Sequence, residues 1–245
     1  MKGNDPVAAY FDKLPERHKR QFKDRASGAN FNFQQRLVFA CELSRASSGR
    51  LFDCAAGTGE ITCALLNSGR FNHATVVDIS PAMLQSAKEL LTSQIKDAEL
   101  EFVQSDVFNF KPRDSRFDLI LCLGLIAHTG RLDILLAHLK SMLAPNGRII
   151  LQATLTDHLG TRIVRALTSR NELYRRGYHI SWFSERNISD ACDRAGFRIE
   201  AKRQHILGIP FADRICPWGN FQLEKHLQQW SSHHGADAIY LLAAK

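Results

Sequence analysis

Arg50-Leu51-Phe52-Asp53-Cys54-Ala55-Ala56-Gly57-Thr58-Gly59 is the stretch whose reading decides the fold. It reads as a strand, Arg50 to Cys54, entering a glycine-rich turn, with a helix from about Gly59 to Asn67. Gly57 and Gly59 have no Cβ, so the backbone can turn tightly there and a ligand can approach it. The helix start beyond them presents unpaired N–H groups and the positive end of a dipole. Further on, Asp78 falls at the end of a second strand, His73 to Ile79. An acid at that place can accept hydrogen bonds from two ribose hydroxyls.

Outward from this unit, strands and helices alternate, which predicts a mostly parallel sheet with helices on both faces. Ser80 can cap a helix and Pro81 suits its first position. Met83, Leu84, Ala87, Leu90 and Leu91 then follow helical spacing. Leu100 to Gln104 is the third strand, and Phe117 to Leu123, apolar throughout its end, is the fourth. A helix from about Leu132 to Leu143 stops at the turn Pro145-Asn146-Gly147, and Arg148 to Leu155 is the fifth strand. Ser184 to Ala195 is a helix closed by Gly196; Phe197 to Ile206 and Ala238 to Ala244 are the last strands. The expectation is an α/β, Rossmann-like, doubly wound, seven-stranded sheet in a single domain. Residues 1–48 form an N-terminal helical cap, 49–155 the cofactor-binding core, 156–182 an inserted lid and 183–245 the C-terminal part of the sheet. The lid segment carries Arg162, Arg165, Arg170, Arg175 and Arg176 and ends in Tyr178-His179-Ile180-Ser181-Trp182.

A glycine turn with a distant acid also describes nicotinamide-binding domains. Two features separate this chain from them. The turn lacks the third glycine of G-x-G-x-x-G. Asp53, at the end of the first strand, would repel a pyrophosphate but suits a ligand with a cationic amino group.

Over residues 50–155 the chain resembles the class I S-adenosylmethionine-dependent methyltransferases, especially the small-molecule branch that includes the ubiquinone/menaquinone C-methyltransferases. Leu51 to Gly59 is similar to the family's first motif, and Val76-Val77-Asp78-Ile79-Ser80 with Met83 to its second. Gln104-Ser105-Asp106-Val107 is similar to the third and Phe117 to Gly124 to the fourth. Leu143 to Arg148 resembles the turn before the fifth strand. Ala55 stands where the family usually has a glycine, as does Asn146. The resemblance implies S-adenosylmethionine as cofactor, leaving as S-adenosylhomocysteine. It implies Asp53, Ala55, Gly57, Thr58 and Gly59 around the methionine end. Asp78, Ile79 and Met83 fall near the ribose and adenine. Asp106, Val107 and Leu123 flank the base. Tyr10, in Ala8-Ala9-Tyr10-Phe11-Asp12, sits in a segment that closes over the cofactor in many relatives.

His128 follows the fourth strand, where ligands of open α/β sheets bind, and is the candidate general base. Arg36, His179 and Trp182 are candidate substrate contacts. No metal site is expected. The six cysteines form no C-x-x-C pair and sit mostly in apolar runs, which predicts buried thiols.

The net charge of +7 is uneven: +5 over residues 1–50, −2 over 51–155 and +4 over 156–245. No [D/N]-P-P-[Y/F] run marks a base-amine methyltransferase, and the basic flanks lack interleaved aromatics, so nucleic acid is not the expected partner. The expected acceptor is a small or lipid-like molecule, anionic in one version, taken for O- or C-methylation between cap and lid. An RNA- or protein-directed methyltransferase and a non-catalytic cofactor-binding subunit are the alternatives. With no apolar leader and no membrane-length run, a cytoplasmic monomer or homodimer is expected.

Overall fold

Alternate side chains of the central strands go to opposite sheet faces, and the sequence supplies apolar residues for both. In the computed structural model, which describes residues 5–23, 27–112 and 116–245, this produces one seven-stranded sheet. Its order is β3-β2-β1-β4-β5-β7-β6. The strands are β1 (Gly49–Asp53), β2 (Phe71–Asp78), β3 (Glu99–Gln104), β4 (Phe117–Cys122), β5 (Leu143–Thr154), β6 (Phe197–His205) and β7 (Asp237–Ala244). The first five are parallel, and β7 runs antiparallel to both β5 and β6. Leu51, Leu119, Leu121 and Ile150 face one layer, while Phe52, Ile120, Cys122 and Leu151 face the other. Phe52 stacks between Phe110 and Phe117, each ring centroid 4.9 Å away.

The chain lays down β1, β2 and β3 in one direction and β4 and β5 in the other. That reversal opens a crevice beyond the carboxyl ends of β1 and β4, the usual ligand position in open α/β sheets. Three helices cover it: α1 (Pro6–Phe11), α2 (Pro15–Lys23) and α3 (Gly28–Leu43). The helices α4 (Glu60–Leu66) and α5 (Pro81–Gln94) follow β1 and β2. Ser80 caps α5 by accepting from Met83 N at 3.1 Å, as its place before Pro81 predicts.

Several boundaries differ from the sequence reading. A short helix, α6 (Ile126–Thr129), precedes α7 (Leu132–Ser141). β5 begins at Leu143, not Arg148: Leu143 pairs with Phe117, and the Pro145-Asn146-Gly147 turn is absorbed as an irregularity, with Asn146 at φ 65°. Residues 156–182 hold a long helix, α8 (Leu159–Arg176), ahead of α9 (Glu185–Arg194). The side chains of residues 168–176, Arg170, Arg175 and Arg176 included, lie outside those described, as do residues 1–4.

Between β6 and β7 lie α10 (Ala212–Ile215), α11 (Pro217–His226) and α12 (Gln228–His234), which the periodicity did not predict. Asp213 of α10 accepts from the N–H groups of Gly28 (2.7 Å) and Ala29 (2.9 Å), so this segment caps α3 from a distance. Cys216 is exposed, against the expectation of buried thiols, because it sits at the α10–α11 junction rather than in a strand. No described helix is long and apolar enough to cross a membrane.

Candidate active site

The two glycines of the turn are needed for different reasons. Gly57 adopts φ +55°, and its N–H donates to Asp78 Oδ2 at 2.8 Å. Gly59 adopts φ +86° at the start of α4, and a Cβ there would lie 3.1 Å from Ala87 of α5. One glycine therefore joins the turn to the second acid, and the other lets α4 pack against α5.

Asp78 is almost fully buried. Besides Gly57, its Oδ1 accepts from Ser80 N at 2.9 Å. Burial pushes its carboxyl up to about 6, against the pull of those N–H donors. Asp53 is also buried and is pushed up to about 7 by desolvation. Its oxygens accept from the Thr62 hydroxyl and, at 3.5 Å, from Ala55 N. The acid that ends β1 thus braces the turn and the first turn of α4 from beneath.

Above these groups lies a cavity of about 600 Å³. Ala55 and Gly57 after β1, Asp78, Ile79 and Met83 after β2, and Asp106 and Val107 after β3 line its floor. Asp106 Oδ1 accepts from Phe108 N at 2.9 Å, which fixes the carboxylate at the cavity wall. Leu123, Gly124 and His128 follow β4. The roof comes from the cap: Tyr10 and Phe11 of α1, Arg17 and His18 of α2, and Phe33 and Arg36 of α3. Phe11 lies edge-on to both His128 (5.0 Å) and His18 (6.4 Å). Tyr178 Oη is 3.0 Å from His128 Nδ1 and holds that ring from the lid side.

Of the residues singled out from sequence, the fold brings Tyr10, Arg36, Ala55, Gly57, Asp78, Ile79, Met83, Asp106, Val107, Leu123 and His128 to one cavity. It does not bring Asp53, Thr58, Gly59, His179 or Trp182 to the wall. Thr58 donates to Glu60 Oε2 at 2.6 Å behind the turn. His179 is exposed, and the lid residue that reaches the site is its neighbour Tyr178. Sequence reasoning also missed His18 and Arg17. They lie in Glu16-Arg17-His18-Lys19-Arg20, within the N-terminal helical cap, where no motif singles them out. His18 packs edge-on to Phe33 at 5.3 Å, over the glycine turn. Burial, with Arg36 and Arg17 nearby, lowers its pKa to about 4, so the ring is neutral at neutral pH.

The set of groups suits a nucleoside. A buried carboxylate with both oxygens already oriented by N–H groups sits at the end of β2. Small residues floor the turn, and Met83 and Val107 give apolar walls. A methyltransferase-domain family model matches residues 17–202, and the chain belongs to that family, in its class I, S-adenosylmethionine-dependent form. It is 26% identical over 145 residues to a ubiquinone/menaquinone biosynthesis C-methyltransferase of Rhizobium etli, covering 59% of this chain and 56% of that protein. It is 28% identical over 149 residues to a malonyl-[acyl-carrier protein] O-methyltransferase of a Paenibacillus species, covering 54% and 52%. The chain thus spans about half the length of the curated relatives it matches. In fold it is similar to magnesium protoporphyrin IX methyltransferase from Synechocystis, solved with bound S-adenosylhomocysteine. That likeness has a TM-score of 0.67 at 16% identity and covers 98% of both chains.

Proposed function

We propose that this chain methylates a small-molecule acceptor held between its N-terminal helices and the carboxyl ends of β1 and β4. One observation carries the reading: the cavity floored by the family's motifs is roofed by the chain's own α1, α2 and α3. A cavity of about 600 Å³ under that roof is of the size that takes a small molecule. S-adenosylmethionine supplies an electrophilic methyl group on a sulfonium. Asp78 would hold its ribose and Asp106 its base, with Met83 and Val107 packing beside them. The protein's own task is alignment and the exclusion of water.

Where the acceptor atom carries a proton, His128 takes it. In the productive tautomer Nδ1–H donates to Tyr178 Oη, and Nε2 carries the lone pair. The relatives' names include both C- and O-methylation, and either leaves a proton for such a base.

The test has two parts. Calorimetric titration with S-adenosylhomocysteine and with NAD should show binding of the first alone; the reverse would sink the reading. Release of S-adenosylhomocysteine is then followed across a panel of small acceptors. With the acceptor found, His128→Ala should lower turnover about 10²–10⁴-fold without weakening cofactor binding. Full turnover in that variant would end the base assignment.

A further inference from the structure

Behind Gly124, on the side of the cavity away from Asp78, lies a buried polar cluster that methyl transfer itself does not require. Arg36 of α3 is half-buried, lines the cavity and spreads over the Phe33 ring at 4.8 Å. Its Nε donates to Asn32 Oδ1 at 3.2 Å, while Nη2 stands 3.7 Å from Asp237 Oδ2. The latter is a long contact, not a two-pronged bridge. Asp237 Oδ2 is instead occupied by Asn32 Nδ2 at 3.0 Å and Gln152 Nε2 at 3.1 Å. A carboxylate can only accept, so Gln152 must turn its amide nitrogen to Asp237. That leaves Gln152 Oε1 buried and without a partner. Arg36 Nη1 and Gln152 Oε1 converge on one place, 3.6 Å and 4.0 Å from where a Gly124 Cβ would be. Gly124, at φ +73°, has no side chain to fill it.

A guanidinium that lines the cavity, its Nη1 beside the space a Gly124 side chain would fill, describes a receptor for an anionic oxygen. Arg17 and Arg131 at the rim add positive charge on the same cavity, Arg131 lying over Phe108 at 4.7 Å. Phe11 and Phe33 line the same cavity and add aromatic surface to it. We propose that the acceptor is a small carboxylate with a flat, apolar body, and that Arg36 docks the carboxylate against Gly124. The inference rests on the small-molecule reading above and names the acceptor's class.

The test is calorimetry on the protein saturated with S-adenosylhomocysteine, with benzoate and its neutral analogue benzyl alcohol as probes. Benzoate should bind at least about 10-fold more tightly, in line with a charge-assisted pair. Arg36→Gln should erase that preference while leaving S-adenosylhomocysteine affinity unchanged. Arg36→Lys, which keeps the charge and loses the fork, should fall between. Since Arg36→Gln leaves Asp237 without its cation, the charge-balanced double variant Arg36→Gln/Asp237→Asn is measured with it, and equal loss of preference in a folded double variant supports the docking role. Equal binding of the two probes, no saturable benzoate binding, or a preference that survives in both variants overturns the proposal. Benzoate selectivity in a protein that fails to bind S-adenosylhomocysteine keeps the anion site and refutes the small-molecule methylation proposed above instead.

Discussion

Asp53→Asn should stabilise the cofactor-free protein, and only above acidic pH. The substitution keeps the shape and, with the amide oxygen placed at the Oδ2 position, the Thr62 hydrogen bond; it gives up the long 3.5 Å contact from Ala55 N. What it removes is a charge that the fold holds in a dry place. Burial raises the Asp53 carboxyl from 3.8 to about 7. Below about pH 4 the group is protonated in folded and unfolded chains alike. Between there and about 7 the unfolded chain releases its proton while the folded one retains it, so stability falls as pH rises; above about 7 the loss is complete. A displacement of that size corresponds to roughly 2–4 kcal/mol once relaxation around the charge is allowed for. For a chain of this length each kcal/mol moves the melting temperature by about 2–4 °C. The variant should therefore melt roughly 4–16 °C above wild type at pH 8 and close to it at pH 4. Thermal melts at both pH values, followed by circular dichroism, measure this directly. A difference between the two proteins that is constant with pH, or that shrinks as pH rises, would refute the reasoning.

Two further substitutions test the floor of the cavity. Asp78→Asn leaves one acceptor where Gly57 and Ser80 each donate. It should weaken S-adenosylhomocysteine binding by at least about 10-fold, because hydrogen bonds to a charged group are worth about 1.5–3 kcal/mol each; calorimetric affinity within threefold of wild type would exclude the ribose role. Gly59→Ala places a Cβ 3.1 Å from Ala87 at φ +86°, and should lower stability by about 1–3 kcal/mol in denaturant titrations.

The cofactor half of the site was legible because its residues are adjacent in sequence to the strand ends that position them. Ala55, Gly57, Asp78, Asp106 and Leu123 each fall within a few residues of a strand that periodicity alone marks, and the parallel order of β1 to β4 brings those ends together. The acceptor half is assembled by long-range packing. His18 belongs to a helix whose sequence is nearly all charge, and only its docking over Gly57 desolvates it. Tyr178, not His179, reaches His128 because the chain emerges from α8 through Gly177, at φ +79°. No local period records which of two neighbours turns inward. The β6–β7 helices escaped notice for a related reason: Ile215, Trp218, Leu223 and Trp230 stay exposed, so no apolar face repeats through the segment.

The glycine turn and the arginine wall also divide the cavity electrically. Asp78 and Asp106 occupy the side under β2 and β3, where Asp78 is charged only against the resistance of burial. Arg36 and Arg17 belong to α3 and α2, whereas Arg131 lies over Phe108, next to Asp106. Both imidazoles meet Phe11 edge-on, so His18 of the roof and His128 after β4 share one apolar neighbour. His18, held neutral, adds no positive charge to repel a cationic cofactor. The uneven charge along the chain, acidic in the core and basic in both flanks, is thus reproduced within the cavity because the core supplies the floor and the N-terminal flank the roof.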